Sequence, residues 1–311
     1  MGVWNTQTTL RRRVTLKGVG LHSGAMTKCV IHPAPANSGI VFVRSDLKNA
    51  PVVQADISKV IRTDMSTTLG VNGVMIATVE HLMAAFYGMG ITNALVEIDG
   101  PEVPIMDGSS REFADAFEDA GIRSLGVAQK VLRLRRNISV QAGDKYIDAK
   151  PSNGLVIRGK ISFKHGVIGE QVYSFKSGKS FREEIAAART FGFLREVEYL
   201  HKKGLAKGGS LENAVVLDDT RVLNPEGLRF NDEFVRHKVL DALGDFALLG
   251  LSLQADVEVH KSGHELHTGF IRKVLEDVSN YEIVEAQAQP SRHEHAELIE
   301  EEISPLVAAA V

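Results

Sequence analysis

The chain has few residues of several kinds, and each scarcity excludes a class of protein. Its 311 residues include one cysteine, Cys29, which excludes a disulfide framework and a thiolate-rich metal site and indicates a reducing compartment. The longest apolar run, Phe246 to Leu251, falls far short of the roughly 20 residues that a membrane span needs. The first residues lack the apolar core and cleavage site of a secretory signal. We therefore expect a cytoplasmic protein.

An excess of charge of one sign is also missing. The formal net charge is -3 at pH 7, and the only basic cluster, Arg11-Arg12-Arg13, leads directly into a strand-like pattern. Nucleic-acid binding needs a basic surface, so we expect no nucleic-acid partner. Hydrophobic residues make up 44% of the chain, which is enough for two cores, and two domains are the default at this length.

The order of elements predicts an α+β fold of two similar units, with helices layered on mainly antiparallel sheets and the active site in the cleft between them. The first unit spans residues 1–126 and the second spans residues 127–285, and each starts with short β-rich runs that lead into helices. No residue-level repeat relates the two. Residues 286–311 are polar and acidic, which predicts a disordered tail.

Three apolar helices are predicted around the polar motifs that follow. They run from an N-cap at Thr78 to Gly88, from about Asn231 to Leu249, and from about Glu265 to Asp277. Polar side chains on such helices stand out, because each must find a partner if the helix is buried.

Three polar residues on the second helix are spaced four apart. His237, Asp241 and Asp245 share one face of a helix that is otherwise apolar. A bland explanation is a side-chain pair that stabilises the helix by a few tenths of a kcal/mol. The alternative is a binding or catalytic site, because buried carboxylates and imidazoles need partners.

Glu80 and His81 lie side by side in the first turn of another apolar helix. The bland explanation is a glutamate favoured by the helix dipole next to a core histidine. However, both polar pairs occur on the most apolar helices of their halves, where unpaired charge would cost several kcal/mol. Joining the two pairs gives two imidazoles, one carboxylate and a glutamate adjacent to a ligand.

This donor set predicts a divalent metal site. Two histidines and one acid leave a position for water on a tetrahedral zinc ion, and the same set suits non-haem iron(II) oxygenases. A glutamate beside a ligand favours a hydrolase, because it can deprotonate water. His264 follows a glycine at a strand-to-helix junction and is a further candidate.

Seven motifs occur in order between about residues 9 and 278. They are Gly18–Gly24, Thr78–Ala85, Pro104–Ser109, Ala188–Phe193, Gly227–Arg229, Glu233–Asp241 and Ser262–His264. Together they closely resemble the UDP-3-O-acyl-N-acetylglucosamine deacetylase family, which makes the committed step of lipid A synthesis in Gram-negative bacteria. The resemblance implies a zinc amidohydrolase whose two halves share a βααβ sandwich plan.

The resemblance also implies roles for the metal cluster. The family's three zinc ligands correspond to His81, His237 and Asp241, which would hold one catalytic ion per chain. Its general base corresponds to Glu80. Zinc and Glu80 would activate a water molecule that attacks the acetamide carbonyl of the glucosamine.

Three further catalytic residues follow from the same resemblance. His264, held protonated by Asp245, would stabilise the oxyanion and help the amine to leave. Thr190 would donate its hydroxyl to that oxyanion. Such preorganised donors usually supply the largest share of rate enhancement.

The family's substrate contacts correspond to residues in both halves. Lys238 lies about 100° round the helix from the neighbouring ligand, so we expect it to point toward the substrate's diphosphate rather than the metal, with Lys145 sharing that role. Aromatic contacts to the nucleotide and sugar correspond to Phe191 and Phe163, although Phe163 fits a core position equally well.

The remaining family positions concern the entrance and the acyl chain. His22 is expected near the substrate mouth, and Asp107 is interpreted as structural. The segment at about 191–213 resembles the family's insert, in which Leu200 and Leu205 would line a hydrophobic passage. The alternative for this segment is an ordinary amphipathic helix that packs on its own domain.

One departure from the family pattern lies beside the proposed acid. The family commonly follows Ser-Gly-His with Ala-Leu-Asn, whereas this chain has Glu265-Leu266-His267. The competing functions are an iron(II) oxygenase and an inactive sugar-nucleotide binding module, and intact Glu80 and His264 argue against the latter. We expect a monomer whose amphiphilic substrate allows transient contact with a membrane surface.

Overall fold

The computed structural model describes residues 5–177 and 180–286 of the chain. Over these residues the fold is α+β, with mainly antiparallel sheets, as predicted. The predicted tail, except for its first residue, lies outside the described residues. Within them, no helix is long and apolar enough to cross a membrane.

The first half of the chain forms one large sheet, two small sheets and two long helices. Its strands are β1 (Thr6–Leu10), β2 (Val14–Val19), β3 (Met26–Pro33), β4 (Ile40–Arg44), β5 (Val52–Gln54), β6 (Val60–Arg62), β7 (Thr68–Val71), β8 (Val74–Ile76), β9 (Ala94–Ile98) and β10 (Ile122–Ala128), and its helices are α1 (Glu80–Met89) and α2 (Arg111–Ala120). The large sheet has the order β2-β3-β9-β4-β5, while β6, β7 and β8 form a meander and β1 pairs with β10. The predicted boundary after residue 126 falls within β10 and stays a prediction.

The second half is built around one long strand. Its strands are β11 (Lys130–Leu134), β12 (Ile138–Ala142), β13 (Lys145–Pro151), β14 (Leu155–Ser162), β15 (Glu170–Lys176), β16 (Phe191–Phe193), β17 (Val215–Leu217), β18 (Ser252–His260) and β19 (Tyr281–Glu285), and its helices are α3 (Phe181–Glu184), α4 (Leu194–Lys202), α5 (Glu233–Phe246) and α6 (His264–Leu275). Strand β18 pairs antiparallel with β13 and parallel with β14 and β11. The alternating burial along β18 presents one face to α5 and the core.

Helix α1 begins and ends later than the sequence predicts. Thr78 has a backbone φ of +57° and lies before the helix, so it is not the N-cap. The helix continues through Gly88 and ends at Met89, followed by the C-cap Gly90, whose φ of 73° is left-handed. Gly88 is needed inside the helix because a Cβ there would lie 2.2 Å from the ring of Phe181. Packing against α3 therefore explains a glycine that resembles a helix stop.

The main hydrophobic core is continuous between the two halves. Helix α1 packs against α5, and Leu82, Phe86, Leu240 and Leu243 are at most 1% exposed within one cluster. A smaller cluster around Phe234 lies beside β16 and β17. The apolar helices of the two halves therefore bury their surfaces against each other, while the division into two domains stays a prediction.

Gly244 lies where α5 crosses the first turn of α1. A Cβ at this position would lie 2.0 Å from the carbonyl oxygen of Glu80, so the two helices would have to separate. We predict that Gly244→Ala lowers the free energy of unfolding by about 1–3 kcal/mol, as overpacking does. Urea denaturation measures this change.

Gly269→Ala is the matched control for this prediction. Gly269 is also within a helix, but a Cβ there meets no atom within 4 Å. Its replacement should leave stability unchanged or raise it by about 0.5–1 kcal/mol, because alanine favours helix. Equal effects of the two substitutions would contradict a tight contact between α1 and α5.

Candidate active site

Helices α1 and α5 bring the three predicted metal ligands together. His81 is the second residue of α1, and His237 and Asp241 lie one turn apart on α5. Their ligand atoms all lie within 4.8 Å of one another. Asp241 Oδ1 is 3.3 Å from His237 Nε2 and 3.6 Å from His81 Nε2. All three residues are buried, with at most 4% of their surface exposed.

The cluster fits a divalent metal ion. Asp241 Oδ1 is buried and makes no hydrogen bond, although an unpaired buried carboxylate oxygen is costly. The Nδ1 atom of His237 donates to the carbonyl of Ala188 at 3.0 Å, which leaves the lone pair of Nε2 directed at the same space. Nitrogen and oxygen donors converging on one buried point are the usual environment of such an ion.

The protonation states also suit metal binding. Burial lowers the pKa of His237 to about 3, so its imidazole is neutral. Burial raises the pKa of Asp241, but the ammonium group of Lys238, 2.9 Å from Oδ2, acts in the opposite direction, and that pKa lies well below its usual range. A neutral imidazole and an ionised carboxylate are the forms that bind metals.

Lys238 contacts one of the predicted ligands, although the sequence analysis expects its side chain to point away from the metal. Its Nζ lies 2.9 Å from Asp241 Oδ2 and 5.5 Å from the centroid of the Phe191 ring. The side chain reaches the carboxylate because residues three apart share a helix face. Lys238 nevertheless lines the cavity beside the ligands.

Glu80 lies between the ligand cluster and His264. Its Oε2 accepts a hydrogen bond from the backbone N–H of Thr67 at 3.0 Å, and its Oε1 is 3.7 Å from His264 Nε2. Burial raises the pKa of Glu80. A carboxylate with a raised pKa is a better proton acceptor than an ordinary one.

His264 and Asp245 form the predicted pair. His264 Nδ1 lies 2.8 Å from Asp245 Oδ2. Burial lowers the pKa of His264, but the carboxylates of Asp245 and Glu80 outweigh it and raise that pKa to about 10. The imidazole is therefore protonated at neutral pH and can donate from Nε2 toward the cavity.

Two other partners of Asp245 escape prediction from the sequence. His267 Nδ1 lies 2.7 Å from Asp245 Oδ2, and the hydroxyl of Thr67 donates to Asp245 Oδ1 at 2.5 Å. The spacing of three residues between His264 and His267 is a signal that predicts a shared helix face. Thr67 gives no such signal, because its position depends on how the loop before β7 packs.

A buried ion pair supports the segment that contacts His237. Arg189 donates from its backbone N–H and from Nε to Glu233 Oε1, at 3.0 and 2.9 Å. Both residues are at most 1% exposed. On either side of Arg189, Ala188 accepts from His237 and Thr190 donates its N–H to Gly108 at 2.7 Å. The pair therefore fixes the backbone beside the ligands.

The loop that contains His22 is held by a buried carboxylate. Glu102 accepts from the N–H groups of His22 and Ser23 at 2.9 and 2.7 Å, and from the hydroxyl of Thr78 at 2.8 Å. His22 lines the cavity, its Nε2 makes no hydrogen bond, and burial lowers its pKa. Asp107 accepts from Arg229 Nη1 at 2.7 Å, as a structural residue would.

A cavity of about 960 Å³ opens in front of the cluster. Several predicted residues line it, namely His22, Glu80, His81, Lys145, Thr190, Phe191, His237, Lys238, Asp241 and His264. Phe163 does not line it and instead packs edge-on against Phe191, with ring centroids 5.7 Å apart. Leu200 and Leu205 also lie outside its wall and are half-buried. Their contact with an acyl chain stays a prediction.

The raised pKa of His264 makes stability depend on pH in a defined direction. In the folded, metal-free protein this pKa is about 10 instead of the ordinary 6.5. The stabilisation is therefore complete below pH 6.5 and is lost as the pH rises toward 10. We predict that the difference in unfolding free energy between wild type and His264→Gln is largest near pH 6.5 and shrinks toward pH 10. Urea denaturation across this range measures it, and a constant difference would contradict the assignment.

Comparisons with known proteins identify the family of the chain. The family model described as UDP-3-O-acyl N-acetylglycosamine deacetylase matches residues 7–276. The chain is 50% identical over 282 residues to the UDP-3-O-acyl-N-acetylglucosamine deacetylase of Myxococcus xanthus, a match that covers 90% of each chain. The deacetylase of Sulfurimonas denitrificans is 47% identical, with 90% and 95% covered, and that of Pasteurella multocida is 44% identical, with 93% and 97% covered. The chain therefore belongs to the UDP-3-O-acyl-N-acetylglucosamine deacetylase family.

Proposed function

We propose that the protein hydrolyses the N-acetyl group of UDP-3-O-(3-hydroxyacyl)-N-acetylglucosamine and releases acetate, the committed step of lipid A biosynthesis. Family membership and the names of the relatives support this reaction. The observation that carries it is the buried trio of His81, His237 and Asp241, with Glu80 and His264 beside it on one cavity wall. We place the enzyme in the cytoplasm of a Gram-negative bacterium, as a monomer with domains at residues 1–126 and 127–285.

We propose zinc as the metal, with one ion held by His81, His237 and Asp241. When bound, the ion supplies a Lewis acid and lowers the pKa of a coordinated water to about 7. The same donors would suit iron(II) in an oxygenase, but membership in a deacetylase family favours hydrolysis. The unpaired Asp241 Oδ1 is the atom that most needs a cation.

Glu80 is the proposed general base. Its carboxylate takes a proton from the attacking water while the water oxygen bonds to the acetamide carbon. The N–H of Thr67 fixes Oε2 and leaves Oε1 facing His264. Burial keeps this carboxylate a stronger proton acceptor than an exposed one.

His264 is the proposed acid. Its protonated imidazole donates a hydrogen bond to the oxyanion that forms on the carbonyl oxygen, and its proton goes to the glucosamine nitrogen as the C–N bond breaks. Asp245 holds the ring through Nδ1 at 2.8 Å. Thr190 lines the same wall, and its hydroxyl donates a hydrogen bond to the oxyanion.

Basic side chains on the cavity wall suit the diphosphate of the substrate. Lys145, Lys238, Arg62 and Arg272 all line the cavity. We assign Lys145 and Lys238 to the diphosphate, while Lys238 also neutralises Asp241. The ring of Phe191 offers a stacking surface to the nucleotide or sugar, with Phe163 packed behind it.

The acyl chain is assigned to the region of α4. This helix buries none of its residues fully, so its apolar side chains keep surface that a bound chain could cover. Leu200 lies on the helix and Leu205 follows it, with a hydrogen bond from Leu205 N–H to the Leu200 carbonyl at 2.9 Å. We propose that both line the passage and that His22 lies at its junction with the cavity.

Substitution of a metal ligand and substitution of the general base should have different effects on zinc binding and on activity. We predict that His237→Ala loses both zinc and activity, because three protein ligands cannot spare one. Glu80→Ala should keep zinc and lose about 10²- to 10⁴-fold in turnover, the usual contribution of a general base. Zinc analysis of purified protein, with circular dichroism as a fold check, measures the first. A folded His237→Ala protein with one tightly bound zinc would contradict the ligand assignment.

The acyl chain should supply most of the substrate's binding energy. At about 0.8 kcal/mol for each buried methylene, each added pair should raise kcat/KM by about tenfold up to the passage length. The test is acetate release from UDP-N-acetylglucosamine with and without a 3-O-hydroxyacyl chain. We expect a large preference for the acylated substrate that collapses in Leu205→Asp.

Leu47→Asp is the matched control, since Leu47 is a partly exposed leucine in the turn after β4. It should keep the wild-type preference. Equal kcat/KM for the two substrates in wild type would refute a lipid-directed function. If Leu205→Asp keeps the wild-type preference for the acylated substrate, Leu205 does not line the passage, but the lipid-directed function still stands.

A further inference from the structure

His267 is a fully buried imidazole with both ring nitrogens engaged. Its exposure is 0%. Nδ1 lies 2.7 Å from Asp245 Oδ2, and Nε2 lies 2.9 Å from the hydroxyl of Ser262. The ring also meets Phe246 edge-on, with centroids 5.8 Å apart. Two hydrogen bonds and this packing leave the ring one orientation.

The oxygen that His267 contacts is the oxygen that holds His264. Asp245 Oδ2 lies 2.8 Å from His264 Nδ1 and 2.7 Å from His267 Nδ1, while Oδ1 accepts from Thr67. The terminal torsion of an aspartate is intrinsically broad. Donors on both oxygens restrict it, and of the two histidines that contact Oδ2 only His264 lines the cavity.

Helix geometry places both histidines on the same side of α6. His264 is the first residue of the helix and His267 is three residues later, so both face α5 from a single turn. Ser262, just before the helix, anchors the far side of the His267 ring. The first turn of α6 is therefore attached to Asp245 at two points.

We propose that His267 is a positioning residue for the deacetylation: it fixes the Asp245 carboxylate and thereby the orientation of the His264 imidazole. The assignment rests on the proposed function, in which His264 is the acid. His267 does not line the cavity, so it has no contact with the substrate. Its effect should therefore fall on kcat and leave KM unchanged.

The test compares two side chains of nearly equal shape. In His267→Asn the amide nitrogen takes the place of Nδ1 and can still donate to Asp245, whereas His267→Leu has no donor. Acetate release should show kcat reduced by about 10- to 100-fold in the leucine variant, the usual loss for such outer partners. The asparagine variant should keep most of kcat, and KM should stay at the wild-type value in both.

A second variant keeps the test valid if the leucine protein does not fold. His267→Gln places its amide near Nε2, so it keeps the contact with Ser262 but loses the donor to Asp245, and it should match the leucine variant in kcat. His32→Gln is the control, because His32 on β3 pairs with Glu97 on β9 at 3.3 Å and does not line the cavity. It should behave as wild type.

The outcomes separate the two claims. Equal kcat in the asparagine and donor-free variants, or a change in KM with kcat preserved, would overturn the role of His267 while wild type remains active. A wild-type protein that releases no acetate would overturn the proposed function and this assignment with it. A kcat near the wild-type value in His267→Asn, but not in His267→Leu or His267→Gln, supports the positioning role. A purely structural histidine would not make kcat depend on the donor to Asp245.

Discussion

The contact between α5 and the first turn of α1 is the constraint on which the site depends. Gly244 allows α5 to approach the backbone of Glu80 so closely that a Cβ would lie 2.0 Å from its carbonyl oxygen. The approach brings His81 to the ligands of the other helix. It also buries the apolar faces of both helices in one continuous core. The same packing contact therefore stabilises the fold and brings the three proposed metal ligands together.

Burial on this scale requires that each charged group be satisfied by a neighbour. Glu80 is held by the N–H of Thr67, and Asp245 by the hydroxyl of Thr67 and by two histidines in the first turn of α6. Asp241 is the exception among these carboxylates, because one of its oxygens is buried without a hydrogen bond. Polar groups at this depth are normally paired, so the exception coincides with the atom that the cation would meet.

Local periodicity in the sequence predicted the ligands but not what surrounds them. The spacing of His237 and Asp241 and the apolar character of both helices are local features, and they led to the trio that the structure brings together. The cap at Thr78 was predicted wrongly because Glu102, distant in sequence, accepts the threonine hydroxyl. The contact between Lys238 and Asp241 was not predicted either, whereas the role of Lys238 at the diphosphate stays a prediction. Tertiary partners of this kind leave no periodic signal.

Helix α5 carries the proposed metal ligand His237 and also supports the orientation of its ring. His237 donates to the carbonyl of Ala188, and the next residue, Arg189, is bound by Glu233 at the start of the same helix. A rigid displacement of α5 would therefore carry the imidazole and its carbonyl partner along together. The orientation of the His237 ring relative to the Ala188 carbonyl would therefore stay the same during such a movement. The third proposed ligand, His81, arrives from α1, and its position depends instead on the close approach of the two helices at Gly244.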